Sequence, residues 1–228
     1  RYKDDFLSNI SHELKTPLNA ALLISSVLLK NRDNTLNKET LRNLAIVKMC
    51  IQDLAYLIND ILDVTKLQSK KLKIRNNKVN LYKMAQELQE MFTIEIESKG
   101  LDFYCLFDDK IGYINSDVLR VKQIIKNIIS NAIKFTKKGS ITFELKDDLD
   151  YINFIIKDTG CGIAKGKIDI IFNRFNQLDI SLNKSNEGLG LGLFISKKLV
   201  TLLNGKISLI SEINIGTKVT ISVPKNIS

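Results

Sequence analysis

Residues 123–136 read Gln-Ile-Ile-Lys-Asn-Ile-Ile-Ser-Asn-Ala-Ile-Lys-Phe-Thr. Ile124, Ile125, Ile128, Ile129 and Ala132 fall on one side of a helical wheel. Asn127, Asn131 and Lys134 recur at i, i+4 and i+7 on another. The spacing predicts a helix over 117–135 with its isoleucines packed inward. Its polar side gathers two amide oxygens, which suit a hard cation such as Mg²⁺, and one ammonium that can meet phosphate as a point charge. Two asparagines alone would be only a solvated helix face.

Working outward, the flanks alternate helix and strand. Helices are expected over 81–98 and 191–203, and strands over 101–107, 140–146, 152–157, 206–211 and 217–223, where β-branched and aromatic residues concentrate. Such interspersion implies an α/β layered domain. Asp158-Thr159-Gly160-Cys161-Gly162-Ile163 directly follows a strand. A carboxylate there can accept from an adenine amino group while the glycines let the backbone approach the base. Gly188-Leu189-Gly190-Leu191-Gly192-Leu193 leads into the 191–203 helix, whose N-terminal amides suit phosphate. Its spacing is not G-x-G-x-x-G, and no Walker lysine-serine pair exists, so Rossmann and P-loop readings are excluded. Either glycine segment alone reads equally well as a turn.

Upstream, residues 1–72 read as two long helices. Phe6, Ile10, Leu14, Leu18, Ala21 and Leu28 form one stripe, and Leu44, Val47, Ile51, Leu54, Ile58 and Ile61 follow the 3-4 spacing of a coiled-coil seam. The polar run 31–38 is the loop between them. A two-helix hairpin has no third element to cover its apolar face, so pairing into a four-helix bundle, and hence a homodimer, is expected. The polar, basic stretch 68–78 is the candidate linker, with 73–77 assigned to neither domain.

His12 is the only histidine in the chain. At 100° per residue it falls about 200° from Ile10, and Thr16 about 240°, nearly opposite the stripe. His12 is therefore expected to be exposed, with Glu13 beside it. A neutral imidazole is nucleophilic, and an adjacent carboxylate can take its proton. A surface histidine with a chance acidic neighbour is the plain alternative for any His-Glu pair. Pro17 is expected to loosen or kink the helix.

Composition narrows the classes further. The 228 residues are 44% hydrophobic and 26% charged, the balance of a folded protein, and no run of about 18 apolar residues occurs. The N-terminus has no apolar signal-peptide core and begins with Arg rather than Met, so a fragment of something longer is expected. Cys50, Cys105 and Cys161 are far apart, which argues against disulfides and metal and fits a cytoplasmic setting. The net charge of +9 is spread over the whole chain, so it reads as a solvated basic surface that attracts anionic ligands and partners rather than as a nucleic-acid-binding arm. No membrane contact is expected of this segment.

The run Phe6-Leu7-Ser8-Asn9-Ile10-Ser11-His12-Glu13-Leu14-Lys15-Thr16-Pro17-Leu18-Asn19 closely resembles the H box of sensor histidine kinases. The order of the Asn-rich helix, Asp-x-Gly-x-Gly, Phe172-Asn173-Arg174-Phe175 and Gly-x-Gly-x-Gly resembles the N, first glycine, F and second glycine boxes of the GHKL ATP-binding fold. Gly216-Thr217 in an amphipathic strand also matches. The resemblance implies a helical hairpin forming a dimeric four-helix bundle, residues 1–72, followed by an α/β sandwich of GHKL (Bergerat) type, residues 78–228.

It further implies His12 as phospho-acceptor, Glu13 as its base, and Thr16 orienting water for dephosphorylation of a partner. Lys15 departs mildly from the more usual arginine, losing the planar fork. Asn131 is implied as principal Mg²⁺ ligand with Asn127 assisting, Lys134 at the phosphates, Phe135 near the adenine and Asp158 on its amino group. Gly160, Gly162, Ile163, Phe175, Gly188, Gly190, Leu191, Gly192, Leu193 and Thr217 complete the implied ATP site, and 173–187 would be a lid. The implied partner is a response-regulator receiver domain. Two rival activities are a GHKL ATPase without phosphotransfer and a silent dimeric scaffold for receiver docking. The His12 position and the full set of boxes argue against both.

Overall fold

The computed structural model describes residues 2–31, 35–69, 72–108, 110–168, 170–172 and 191–226, with backbone alone for 2–13, 53 and 68. The chain divides into two compact units, Arg1–Leu72 and Lys73–Ser228.

The first unit is a hairpin of α1 (Tyr2–Leu29) and α2 (Lys38–Gln68). Asn31, at φ 40°, turns the chain out of α1. Its amide brackets Leu36, accepting the Leu36 N–H at 3.0 Å and donating to the Leu36 carbonyl at 3.2 Å. Asn37 then caps α2, accepting the Thr40 N–H at 2.8 Å, with Glu39 in the first turn and Lys66 in the last, both favourable to the helix dipole. α1 continues as one helix through Pro17.

The apolar seam of α2 divides by heptad register. Leu44, Ile51 and Ile58 are half-buried to buried, whereas Val47, Leu54 and Ile61 stand 49%, 47% and 37% exposed. On α1, Leu14 and Leu28 are likewise exposed. The hairpin uses one half of its seam internally and presents the other.

In the second unit, β1 (Asn77–Asn80) pairs antiparallel with β3 (Tyr113–Ser116). A five-stranded sheet has the order β2-β4-β5-β7-β6, formed by β2 (Asp102–Leu106), β4 (Ser140–Asp147), β5 (Tyr151–Asp158), β6 (Lys206–Glu212) and β7 (Gly216–Pro224). Within this sheet only the β2–β4 pair is parallel. Helices α3 (Leu81–Ser98), α4 (Val118–Phe135) and α5 (Gly192–Leu202) lie against β2, β5 and β6. Strand alternation sends Ile141, Phe143, Ile152, Phe154, Ile156, Val219 and Ile221 into the buried core. They meet Leu88, Ile96, Ile125 and Ile129 from the helices, all without exposed surface.

Two features differ from the sequence reading. The β1–β3 ribbon was not expected, because only Val79 and Ile114 of its eight residues are buried and apolar. The stretch 73–77 is not a bare linker. Asp117 caps α4 through the Leu119 and Arg120 N–H groups and also accepts the Arg75 N–H at 2.9 Å, and β1 begins at Asn77.

Candidate nucleotide and phosphotransfer sites

Helix α4 supplies the polar face. Its Ile124, Ile125, Ile128, Ile129 and Ala132 are buried as the spacing requires. Asn127 directs its amide N–H₂ at α5, 3.3 Å from the Gly192 carbonyl and 3.4 Å from Ser196 Oγ. The nitrogen is thereby committed, and the oxygen remains to accept or ligate. Asn131, one turn on, is half-exposed. Burial pulls the Lys134 ammonium below its usual lysine value, and its Nζ sits 5.3 Å from the centre of the Phe135 ring.

Phe135 ties the helix to the first glycine segment. Its carbonyl accepts the Cys161 N–H at 3.2 Å, and a Cβ on Gly160 would collide with that same carbonyl. Asp158, the last residue of β5, accepts the Gly160 N–H at 2.9 Å and the Thr217 N–H at 3.2 Å, both on Oδ1. Burial raises its carboxyl above the usual aspartate range, and those two bonds oppose the rise. Both bonds leave Oδ2 for another donor.

The loop and the β6–β7 turn lie backbone to backbone. Gly162, at φ +67°, packs where any Cβ would strike the Glu212 carbonyl, and Gly216, at φ +133°, packs on the Asp158 carbonyl. Both positions demand glycine on two counts, conformation and space. Ser211 lies between them, buried, with its Oγ 2.8 Å from the Ile163 N–H, 2.9 Å from the Gly216 carbonyl and 2.8 Å from Thr217 Oγ1. The sequence reading missed Ser211. The available signal was a hydroxyl in an inward position of β6, in step with Ile207 and Leu209.

At α5, Leu191 occupies the N-cap position without a side-chain cap, and Gly192 opens the helix. Its first amides therefore keep their capacity for an anion. Leu191 is buried and Leu193 half-buried. Phe175, Gly188, Gly190 and the segment 173–187 lie outside the described residues. In the hairpin unit, His12 and Glu13 are on the backbone of α1, and the expected exposure of His12 concerns a side chain outside the described set. Thr16, one turn further, is exposed. Among the described residues no group of three or more His, Cys, Asp or Glu could hold a metal, and no helix is long and apolar enough to cross a membrane.

Residues 2–70 match the family model "His Kinase A (phospho-acceptor) domain", and residues 116–227 match "Histidine kinase-, DNA gyrase B-, and HSP90-like ATPase". The chain is 34% identical over 229 residues to the autoinducer 2 sensor kinase/phosphatase LuxQ of Vibrio cholerae, and 32% identical over 228 residues to the sensor histidine kinase RcsC of Escherichia coli. These alignments cover 98% and 97% of the chain but only 26% and 23% of the relatives. The crystal structure of full-length ShkA in complex with AMPPNP superposes with a TM-score of 0.78 at 26% identity, over 98% of this chain and 46% of ShkA.

Proposed function

Because the chain belongs to the sensor histidine kinases and carries the two domains of their catalytic core, we propose that it moves the γ-phosphoryl group of ATP onto His12 and then onto an aspartate of a response-regulator receiver. The observation that carries this reading is the pairing of an intact His12-Glu13 helix with a site that joins Asn127, the α5 N-terminus and a half-buried Asp158.

The nitrogen lone pair of His12 attacks the γ-phosphorus as the bond to the ADP oxygen breaks, and Glu13 takes the ring proton. Asp158 Oδ2 accepts from the adenine amino group while Oδ1 stays fixed by Gly160 and Thr217. The ring of Phe135 lies beside the base, with Gly160, Gly162 and Ile163 lining the approach. Lys134 and the uncapped amides at Gly192 and Leu193 meet the phosphates. The donor set also fits Mg²⁺, which Asn131 and Asn127 would hold through amide oxygens. When bound, the ion neutralises charge on the β- and γ-phosphates. Leu191 is buried at the start of α5, and Phe175, Gly188 and Gly190 are further expected members of the ATP site.

The exposed half of the α2 seam supports a homodimer, in which Val47, Leu54 and Ile61 of two copies cover each other. Thr16 is assigned the water-positioning role in receiver dephosphorylation, supported by its exposure one turn beyond His12. The setting proposed is cytoplasmic, where ATP and receivers are found.

Incubation with labelled ATP and Mg²⁺, followed by mapping, tests the reading. The label is expected on His12, acid-labile and base-stable, and His12→Gln should abolish it without changing ATP affinity. Undiminished labelling of that variant would overturn the assignment.

A further inference from the structure

We propose that Ser211 is a positioning residue of the nucleotide site, whose buried hydroxyl locks the Asp158–Ile163 loop to the β6–β7 turn so that Asp158 faces the adenine amino group. This rests on the reading of that loop as the adenine site.

Asp158, Thr217 and Ser211 form one direct cross-strand row over β5, β7 and β6. The row beneath it, Ile156, Val219 and Leu209, is apolar, so the helix-covered face turns polar where the nucleotide loop begins. A hydroxyl has one proton and two lone pairs. Ser211 can use all three at once: it donates to the Gly216 carbonyl and accepts from the Ile163 N–H and the Thr217 hydroxyl. Thr217 passes the restraint on, since its own N–H donates to Asp158 Oδ1. Ile163 passes it along the loop, whose Cys161 carbonyl also accepts the Asn214 N–H of the turn at 2.9 Å. The reading carboxylate is thus held from both ends by one side chain that never touches the nucleotide.

A serine that merely filled the core would behave differently. Ser211→Ala leaves the Ile163 N–H and the Thr217 hydroxyl without their partner, and both regain one by shifting toward water. That shift relaxes the free protein and must be reversed when adenine binds. The penalty therefore appears in affinity and in base selectivity, and not only in melting temperature.

The test uses the full chain and compares ATP with inosine triphosphate, which has a carbonyl in place of the amino group. For Ser211→Ala, the ATP dissociation constant is expected to rise about tenfold and the preference for ATP over inosine triphosphate to shrink, as for a partly buried hydrogen-bond network losing its centre. Ser211→Thr keeps the hydroxyl and should restore both. If Ser211→Ala does not fold, Thr217→Val removes one bond of the same network at similar volume and should reduce the preference in the same direction. An unchanged preference in whichever variant folds would overturn the proposal. Wild-type protein that does not distinguish the two nucleotides would instead break the adenine reading beneath it.

Discussion

In the sheet unit, Leu81, Leu88, Ile96, Ile125, Ile129, Phe143 and Phe154 have no exposed surface, while in the hairpin Val47, Leu54 and Ile61 remain between a third and a half exposed. The difference lies in what each periodicity is for. Among the described residues, three helices of the same unit close the sheet's inward face, so alternation and helical stripes there are satisfied within one chain. The hairpin has a seam with two registers and only one internal partner for them. Burial of the second register would remove side chains each contributing roughly 2 kcal/mol from water, which neither helix of the hairpin supplies. One unit closes its core within itself, and the other leaves a register open, which the proposed homodimer would cover.

The most severe way to probe that contrast is to cut it. A fragment comprising 73–228 is expected to fold as a monomer and bind ATP within about twofold of the full chain, as an independent domain with its own core would. It should show no self-phosphorylation at all. Calorimetry and sedimentation on the fragment check this, and a fragment that fails to fold would show that the sheet unit is not self-sufficient.

Next in size is Leu54→Lys, placed in the exposed register. Each dimer loses two apolar side chains and gains two desolvated charges, so the dimer dissociation constant should rise roughly a thousandfold, at about 2 kcal/mol per site. ATP binding should be unaffected. The matched control is Gln52→Lys, an exposed polar position of the same helix. Equal dimerisation by Leu54→Lys and the control would refute the seam.

Within the sheet unit, Asn131→Ala should lower Mg-ATP-dependent labelling roughly a hundredfold, the scale of losing one group that stabilises transferring charge. Binding of metal-free adenosine should barely change. Asp158→Asn should weaken both ligands, because the lost acceptor faces the base. Isothermal titration with each ligand separates the two roles, and identical profiles for the two variants would refute the division between α4 and the β5 loop.

Most of this was legible in the sequence because the patterns are local. The α4 isoleucines specify their own inward face, and the Asp158 loop announces itself by glycine spacing. What escaped depends on partners far away in the chain. Ser211 looks like an ordinary strand serine until Ile163 and Gly216 are brought beside it, 48 and five residues away. Asp117 reads as a helix cap, and its third bond, from Arg75 across 42 residues, is invisible to any window. The β1–β3 ribbon has one buried apolar side chain per strand, too few for alternation to register.

Thr16→Ala tests the hairpin's chemistry rather than its packing. The substitution keeps helix propensity and removes a hydroxyl and a methyl at an exposed position. Labelling of His12 and transfer to a receiver should be nearly normal, while loss of receiver phosphate slows several-fold, since positioning one water is a proximity effect. Dephosphorylation at the unmutated rate would show that Thr16 only eases the helix into Pro17.

The smallest effect separates two carboxylates, one from each unit. Burial raises both Asp158 and Asp60, but at Asp158 two backbone N–H groups oppose the rise, whereas at Asp60 the nearby Asp63 charge adds to it and the carboxyl reaches about 6. The folded value lies above the ordinary 3.8, so the folded chain holds the extra proton between those limits. Stability from this group is therefore greatest below pH 3.8, declines as pH rises toward 6, and stays reduced above it. Asp60→Asn keeps the shape and removes the ionisation. It should raise the melting temperature of the hairpin transition by a few degrees at about pH 7.5, with the gain shrinking as pH falls to about 4.5. Asp158→Asn should give no comparable gain, because its carboxylate is already held by hydrogen bonds that an amide oxygen meets less strongly. A gain at Asp60 that is the same at both pH values would mean that the carboxylate is not the source of the cost, and that the amide stabilises the helix by some other contact.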